Sequence, residues 1–512
     1  MTLARWTPPR LISGRHSDER TVDWLELFYD LVYVAALIQL GQILVDDLSW
    51  EGVADFVALF TLLWWIWTIT TNLKSRAQVD DLIHRFLIFA QMFAIGAAAV
   101  VIGAAFGERS QQFAAAFFFI QLTLTLMFAR IWWRIPSARA LTSRLFTANA
   151  AATVLWLVSI ATGPPLRYWL WAAAFLASIS WVLSTNARRL VTRDFPPDLE
   201  HLTERYALLT IIVLGESFIK VIGAVADKGA TAATYVHGLF SFLTSVGLWW
   251  TYFDDVADSP IKAGSDRVPG TTLWSGLHLP LTMGLTAVGV GLKEIVLSDF
   301  SQTVDPAGAW VLIGALSLVF LSVAALDLVT KSRHFGVRDR DRVIWRLVAV
   351  ALLIGLGLVA PLLTTTVFAA LVALIVVAQI AIEAYVAKRA DAAIRVDVDR
   401  IISSPQPDAR CEHLADIADV KPTSAGCKTC IWNERRIVTV DMLGRVGIGA
   451  WRSGAVAPWR QPRYVGALRR TRCVPSWCCG PVLAPRGALQ LPRRVSDTPD
   501  GHRVVDRPSP WS

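Results

Sequence analysis

The chain has 512 residues, of which 54% are hydrophobic and 18% charged, and its mean hydropathy is +0.47. Soluble domains are about 25% charged on average, so this composition excludes an ordinary soluble enzyme and a disordered chain. The net charge of +8 lies in residues 401–512, which hold 17 Lys and Arg against 9 Asp and Glu, whereas residues 1–400 are neutral. The excess of basic residues lies in the C-terminal tail, so no nucleic-acid partner is expected for residues 1–400.

Residues 1–23 contain Arg and Pro without an apolar core, which indicates a short N-terminal arm and not a cleaved signal peptide. Twelve apolar stretches follow, and each is about the length needed to cross ~30 Å of hydrocarbon. They cover roughly 24–45, 53–70, 82–105, 112–133, 144–162, 167–186, 205–226, 232–253, 271–292, 309–329, 343–360 and 364–386. Because lipid cannot satisfy backbone polar groups, these stretches predict an all-α, polytopic bundle of about 12 transmembrane helices over residues 24–386.

Basic residues alternate between the connecting segments. The segments on the side of the N-terminus carry 24 Lys and Arg, and the opposite loops carry 4. Short cytoplasmic loops are enriched in Lys and Arg, so both termini are predicted to lie in the cytoplasm of a bacterium, with the bundle in its inner membrane.

A matching Leu-Trp-Trp triplet ends span 2 at residues 63–65 and span 8 at residues 248–250. This match six spans apart favours two parallel six-helix repeats, residues 24–186 and 205–386. The alternative is that the aromatic clusters lie in belts at the membrane surface, namely Trp64-Trp65-Trp67, Trp132-Trp133 and Trp249-Trp250.

Span 7 carries an acid and a base inside the membrane. Glu216 lies about 16 Å along the helix from its cytoplasmic end, near the midplane, and Lys220 follows one turn later on the same face. Ionisable groups at this depth are functional hypotheses by default, so the pair is a candidate ion or proton path. A buried ion pair that only fixes helix packing is the alternative.

Span 1 places Glu26, Asp30 and Tyr33 on one helical stripe. Two acids one turn apart repel each other unless a cation lies between them or one holds a proton. Arg85 and Arg205, at the cytoplasmic ends of spans 3 and 7, are the candidate cations. A coupling site and a structural salt-bridge cluster are both open interpretations.

Other polar groups in the spans receive less weight. His278 is a candidate for the same ion path, although a lone His in a helix is more often a hydrogen-bonded packing residue. Asp327, Arg346 and Glu383 are predicted to lie near helix ends, where long side chains reach the interface.

Several ordered motifs carry a family resemblance. They are Leu25-Glu-Leu-Phe-Tyr-Asp-Leu-Val-Tyr-Val34, Trp64-Trp-Ile-Trp67, the 204–217 stretch Glu-Arg-Tyr-Ala-Leu-Leu-Thr-Ile-Ile-Val-Leu-Gly-Glu-Ser, and Trp249-Trp-Thr-Tyr-Phe-Asp254. Over residues 20–390 the chain resembles the bacterial low temperature requirement protein A family. This resemblance implies a polytopic inner-membrane protein linked to growth at low temperature, and it supplies no substrate or reaction.

The tail differs from the body in its cysteines, all six of which follow residue 410. After a linker at 387–410, residues 411–430 resemble the start of a ubiquitin-protease-type zinc finger. Its C-x-H and CxxC spacing offers thiolate and imidazole ligands for zinc, at Cys411, His413, Cys427 and Cys430. The pattern of that family stops there, so residues 431–512 are predicted to be a disordered or non-native tail, and a zinc site is an open alternative.

No Walker loop, dinucleotide fingerprint or HExxH motif is present, so we expect no enzymatic activity and no cofactor in the membrane domain. The leading hypothesis is proton-coupled movement of a small ion or solute through a bundle in the lipid bilayer, as a monomer or an oligomer. The runner-up is a non-transporting membrane scaffold or sensor in cold adaptation.

Overall fold

The computed structural model describes residues 10–11, 22–78, 81–183, 196–254, 256–257, 259, 261–262, 270–330, 339–403, 429–431, 436–440 and 446–450. The chain divides into two compact units, Met1–Ser404 and Pro405–Ser512. The described part of the first contains the helices, and the described part of the second contains three short strands.

The described part of the first unit contains twelve α-helices. In chain order they are α1 (Trp24–Asp46), α2 (Trp50–Lys74), α3 (Leu82–Val101), α4 (Ser110–Arg134), α5 (Arg139–Ala161), α6 (Leu166–Leu183), α7 (Leu199–Lys228), α8 (Ala232–Phe253), α9 (Gly270–Leu297), α10 (Pro306–Val329), α11 (Asp339–Val359) and α12 (Thr365–Ser403). Ten of them are long and apolar enough to cross a membrane, and α6 and α8 are the two outside that set. The predicted polytopic helical bundle is confirmed, with one helix at each predicted span.

Polar residues that precede the helices explain where several of them begin. The Asp81, Asp198 and Asp305 carboxylates accept a backbone N–H from the first turn of α3, α7 and α10, and Thr231 does so for α8. These side chains satisfy backbone donors that a helix start leaves unpaired. The cap at Asp198 moves the start of α7 to Leu199, six residues before the predicted start of the span.

Helix neighbours follow the same order in the two halves of the bundle. In the first half α1 contacts α2 and α3, and contacts then run α3–α4, α4–α5 and α5–α6. In the second half α7 contacts α8 and α9, and contacts run α9–α10, α10–α11 and α11–α12. The α2–α6 contact, made by the Trp65 Nε1 hydrogen bond to Ser178 Oγ at 2.7 Å, corresponds to the α8–α12 contact. The duplication stays a prediction from sequence, and the repeated neighbour order agrees with it.

Helix α9 is the most buried of the ten candidate spans, and its glycines allow neighbours to approach closely. A Cβ on Gly289 would lie 2.8 Å from Ser217 Cα of α7, and one on Gly291 would lie 2.7 Å from Leu312 Cβ of α10. Small residues at such positions let helix backbones meet in a membrane. These contacts fix α7 and α10 against opposite sides of α9.

The short strands lie outside the bundle helices. In the first unit β1 (Arg10–Leu11) pairs antiparallel with β2 (Ala77–Gln78). In the second unit β3 (Thr429–Ile431), β4 (Arg436–Val440) and β5 (Val446–Ala450) form an antiparallel sheet in that order.

Candidate functional site

Five charged or titratable side chains meet where α1 and α7 begin and α2 ends. Glu26 Oε2 lies 3.1 Å from an Arg205 nitrogen and 3.0 Å from His201 Nε2, and Glu26 Oε1 lies 3.6 Å from Lys74 Nζ. The other terminal nitrogen of Arg205 donates a 2.6 Å hydrogen bond to Asp30 Oδ1. We call this set (Glu26, Asp30, Lys74, His201 and Arg205) the Arg205 cluster.

The cluster is buried and its formal charges cancel. Arg205 and Glu26 are 2% exposed at their side chains and Asp30 is fully buried, so water does not solvate these groups. With His201 neutral, the two carboxylates are balanced by Arg205 and Lys74. Balance of this kind is what makes a buried ionic group tolerable, because an unpaired charge in a low-dielectric interior costs several kcal/mol.

Aromatic rings form the wall beside Arg205. Trp67 Nε1 donates a 2.8 Å hydrogen bond to Asp30 Oδ1, and its ring centroid lies 5.9 Å from the Arg205 guanidinium carbon. Tyr206 meets Trp67 edge to face at 4.8 Å. Tyr33, which the sequence placed on the acidic stripe, is fully buried with its ring centroid 6.2 Å from that of Trp67.

His278 continues the aromatic group from α7 onto α9 and α8. Its Nδ1 lies 2.8 Å from the Trp274 carbonyl and its Nε2 lies 2.9 Å from the Tyr252 hydroxyl. The carbonyl can only accept, so in the neutral imidazole Nδ1 donates to it and Nε2 accepts a hydrogen bond from the Tyr252 hydroxyl. The Tyr206 ring lies 4.8 Å from that of His278, so a continuous polar and aromatic track joins this residue to the Arg205 cluster.

Glu216 and Lys220 form an ion pair within α7, with Lys220 Nζ 2.9 Å from Glu216 Oε1. Their side chains are 5% and 8% exposed. A Cβ on Gly41 of α1 would lie 2.6 Å from Lys220 Nζ, so the ammonium group lies directly against the α1 backbone. Beyond the ion pair, neither Glu216 Oε1 nor Lys220 Nζ has a hydrogen-bond partner in the part of the chain that the structure describes.

Ser217, which follows Glu216 in α7, connects this region to α9. Ser217 Oγ donates to the Leu285 carbonyl at 3.0 Å, beside the close contact with Gly289. Gly215, which stands next to Glu216 in sequence, has no atom within 4 Å of a built Cβ other than its own chain neighbours and its helix's own nearby backbone. Close approach at this depth therefore uses glycines of α1 and α9.

Helix α7 thus takes part in two separate groups of predicted site residues, the Arg205 cluster and the Glu216–Lys220 pair. Arg205 and Glu216 are eleven residues apart, which is about 16 Å along a helix, so the two groups share a helix without touching. Arg205 is the cation found between Glu26 and Asp30, whereas Arg85 is half-buried near the start of α3. His201 and Lys74 were missed, because the predicted span began after the first and ended before the second.

A third charged group lies between α10, α11 and α12. Arg346 pairs with Asp327, its other terminal nitrogen lies 3.6 Å from Glu383 Oε1, and Arg342 lies 3.7 Å from Asp327. Arg346 is fully buried and Asp327 is 2% exposed. The prediction that the Asp327 and Arg346 side chains reach the interface was wrong, because partners on neighbouring helices hold them inside the bundle.

The tryptophans divide between core and surface. Trp132, Trp133, Trp249 and Trp250 are exposed, as a membrane belt requires. The Trp64, Trp65 and Trp67 side chains are at most 8% exposed, so the belt interpretation was wrong for them. They face neighbouring helices of the bundle.

Outside the spans, Asp81 joins α3 to α4. Arg130 donates to its carboxylate through both terminal nitrogens, and the His84 backbone N–H donates to it at 2.9 Å. Burial by itself raises the pKa of Asp81, but the hydrogen bonds and the charge of Arg130 outweigh it and hold the pKa below its usual value.

Three of the four proposed zinc ligands, Cys411, His413 and Cys427, lie outside the described residues, and Cys430 is in β3, paired with Val438. Among the described residues, no group of three or more His, Cys, Asp or Glu is placed to hold a metal ion.

These features define a polytopic helical membrane protein whose apolar core encloses ion pairs. Residues 21–380 match the family model of the bacterial low temperature requirement A protein (LtrA), so the chain belongs to this family. An uncharacterised protein of Rhizobium meliloti (strain 1021) is 31% identical over 287 residues, which cover 54% of this chain and 70% of the relative. The family resemblance seen in the membrane-domain motifs is confirmed.

Proposed function

We propose that this protein moves a small ion or solute across the bacterial inner membrane, coupled to protons, with both termini in the cytoplasm. The Glu216–Lys220 pair is the central group of the path, and the Arg205 cluster is the group at its cytoplasmic end. Ionisable residues inside transmembrane helices mark ion pathways and proton relays in transporters.

One observation carries this proposal: the Glu216–Lys220 pair has no hydrogen bonds to complete it among the described residues. A buried ion pair that serves packing alone needs further hydrogen bonds on its remaining atoms to offset desolvation. A pair with a single contact exchanges that contact readily for a proton on the acid or for a passing ion. Glu216 is therefore the residue that we assign to proton transfer.

The connection between the groups is α7 itself. A change in charge at Glu216 releases Lys220, which lies against Gly41 of α1. Asp30 and Glu26 on the same α1 hold Arg205 of α7. Both groups thus bridge α1 and α7, and movement of one helix against the other changes both.

The test is flux through the full-length protein in liposomes under an imposed pH gradient and potential. Proton entry is read with an internal pH dye and potassium with an internal indicator. Glu216→Gln is expected to abolish proton flux, and Glu51→Gln, at an exposed acid in the first turn of α2, is expected to retain it. Flux equal to wild type in folded Glu216→Gln would refute the assignment.

Removing one charge leaves the other buried, so folding of the variant needs its own control. The double variant Glu216→Gln/Lys220→Gln removes both charges and is expected to be folded by size-exclusion chromatography and thermal melting. It is expected to lack proton flux as well. Wild-type flux in this double variant would also refute the proposal.

A second candidate function is a non-transporting scaffold or sensor in cold adaptation. The observation that favours a scaffold or sensor is that the Arg205 cluster and the Asp327–Arg346 pair are buried between helices. Burial of this kind is typical of ionic groups that hold helices together. Under this function Glu216→Gln lowers the melting temperature without changing any flux. Restored growth at low temperature by a folded, flux-free variant in a deletion strain would support it.

We further propose a zinc site in the tail, formed by Cys411, His413, Cys427 and Cys430, because three thiolates and an imidazole are a donor set that zinc accepts. The zinc content of purified full-length protein, measured by mass spectrometry, should be one per chain and should be lost in Cys427→Ser. Absence of zinc from the wild type would remove this proposal.

A further inference from the structure

A cavity of about 270 Å³ lies between the two halves of the bundle. Its walls come mainly from α2, α4, α5 and α6 of the first half and from the beginnings of α7 and α9 in the second half. Residues from Thr61 to Leu73 line it along α2, a length of about 18 Å at helical rise, so the cavity is elongated. It lies apart from Glu216 and Lys220, neither of which lines it.

Most of the lining is apolar and aromatic. The aromatic lining residues are Trp64, Trp65, Phe128, Phe175 and Trp181, and aliphatic side chains of α2, α4, α5 and α6 lie between them. Ligand sites are typically concave apolar pockets with a few placed polar groups, and this cavity is near the lower end of their usual size. The apolar lining favours a hydrocarbon or aromatic body.

The polar groups in the described lining include donor-only side chains, namely Arg76 and the tryptophans, beside Thr, Ser and Asn side chains that can also accept. Arg76 follows α2, and one of its terminal nitrogens donates to the Asn72 backbone carbonyl at 2.8 Å and to Asn72 Oδ1 at 2.9 Å. Two indole N–H groups, on Trp64 and Trp181, have no hydrogen-bond partner among the described residues. Trp64 is 4% exposed and its indole nitrogen is buried, so this N–H does not reach bulk water.

The charged group among the described lining residues is a cation. Arg76 lines the cavity, and none of the described lining residues is Asp or Glu. Burial lowers the pKa of Arg76 to about 10, which still leaves the guanidinium protonated at neutral pH. A cation in an apolar wall attracts an anion more strongly than it does in water, and a guanidinium binds carboxylate and phosphate oxygens well.

We propose that this cavity binds an organic anion with one apolar body, its anionic oxygens on Arg76 and its body between the tryptophans and phenylalanines. The same chemistry has two sources: a single-chain fatty acid that enters from the bilayer, and a small aromatic acid that enters from solution. The site is separate from the proton path, so it holds whether or not the protein transports ions.

Gly276 offers a way to close the cavity without disturbing its walls. It lines the cavity from α9, and a Cβ built there has no neighbouring atom within 4 Å. Gly276→Leu therefore adds a side chain in open space and replaces glycine with a better helix former. This variant separates loss of the cavity from loss of the charge.

The experiment is isothermal titration calorimetry on the full-length protein in phosphatidylcholine nanodiscs, with empty nanodiscs subtracted. The probes are decanoate and 3-phenylpropionate, each paired with the neutral alcohol of the same carbon skeleton. The wild type is expected to bind at least one acid about tenfold or more tightly than its alcohol, the factor expected of a charge-assisted hydrogen bond. Tighter decanoate indicates the bilayer as source, and tighter 3-phenylpropionate indicates solution.

Three variants decide the outcome. Arg76→Gln should weaken acid binding by about tenfold or more, while Arg76→Lys should retain part of that binding. Gly276→Leu should abolish acid binding. The control Arg134→Gln, at an exposed arginine ending α4, should leave acid binding unchanged. Equal binding of acid and alcohol, unchanged acid binding in Arg76→Gln or Gly276→Leu, or no binding of any probe by folded wild type would overturn the proposal.

Discussion

Replacing Arg205 with Gln removes the cation that two buried carboxylates share. Glu26 and Asp30 lie 3.1 and 2.6 Å from its terminal nitrogens, and the three side chains are at most 2% exposed. Breaking a buried ion pair from one side costs about 3–5 kcal/mol, because the remaining charge is left uncompensated. With two carboxylates affected, we expect a loss in the upper part of that range.

Such a loss is large against the total stability of a folded domain, which is about 5–15 kcal/mol. The free energy of unfolding of the wild type and of Arg205→Gln would be measured by chemical denaturation in detergent micelles. The matched control is Arg134→Gln at an exposed position, where a change within about 0.5 kcal/mol is expected.

A quadruple variant tests the physical reason behind the number. Glu26→Gln/Asp30→Asn/Lys74→Met/Arg205→Met removes both acids and both balancing cations, and replacement of a whole buried ionic group is often neutral. It should recover most of the stability that Arg205→Gln loses. A loss below about 1 kcal/mol in the single variant, or a quadruple variant less stable than the single one, would refute the reasoning.

Two further predictions concern packing and pH. Gly289→Ala places a Cβ 2.8 Å from the Ser217 backbone and should lower the free energy of unfolding by about 1–3 kcal/mol. The control is Gly96→Ala, where a Cβ meets nothing within 4 Å and no loss of stability is expected. Equal melting temperatures of the two variants would contradict this prediction. Asp81, whose pKa is lowered in the folded state by Arg130, should stabilise the protein above the unfolded value of about 3.9 and lose that contribution as the pH falls through the folded pKa. The difference in melting temperature between wild type and Asp81→Asn should therefore shrink between pH 7 and pH 3, and a constant difference would contradict it.

Local patterns in the sequence were enough to predict the bundle. A helix in lipid needs a run of about 20 apolar residues, and this requirement acts on each segment separately. All twelve predicted spans correspond to helices, and ten of these helices are long and apolar enough to cross a membrane. The Glu216–Lys220 contact is also local, since residues four apart on one helix are neighbours wherever the helix lies.

Contacts between helices were predicted less well. The two acids of α1, Glu26 and Asp30, predicted a cation between them, and Arg85 and Arg205 were candidates at similar depth. The packing of α7 against α1 and α2 places Arg205 between these two acids. The same packing brings His201 and Lys74 to Glu26.

The tertiary structure alone decided which polar and aromatic groups are buried. Arg346 and Asp327 stand near helix ends in sequence, where either solvent or a partner can satisfy a charge, and the partners are supplied by α10, α11 and α12 together. Trp64 and Trp65 have the composition of a membrane belt, yet α2 turns them to the interior, where they line the cavity beside Arg76. Burial depends on which helix covers which face, and hydropathy along a single helix carries no information about that.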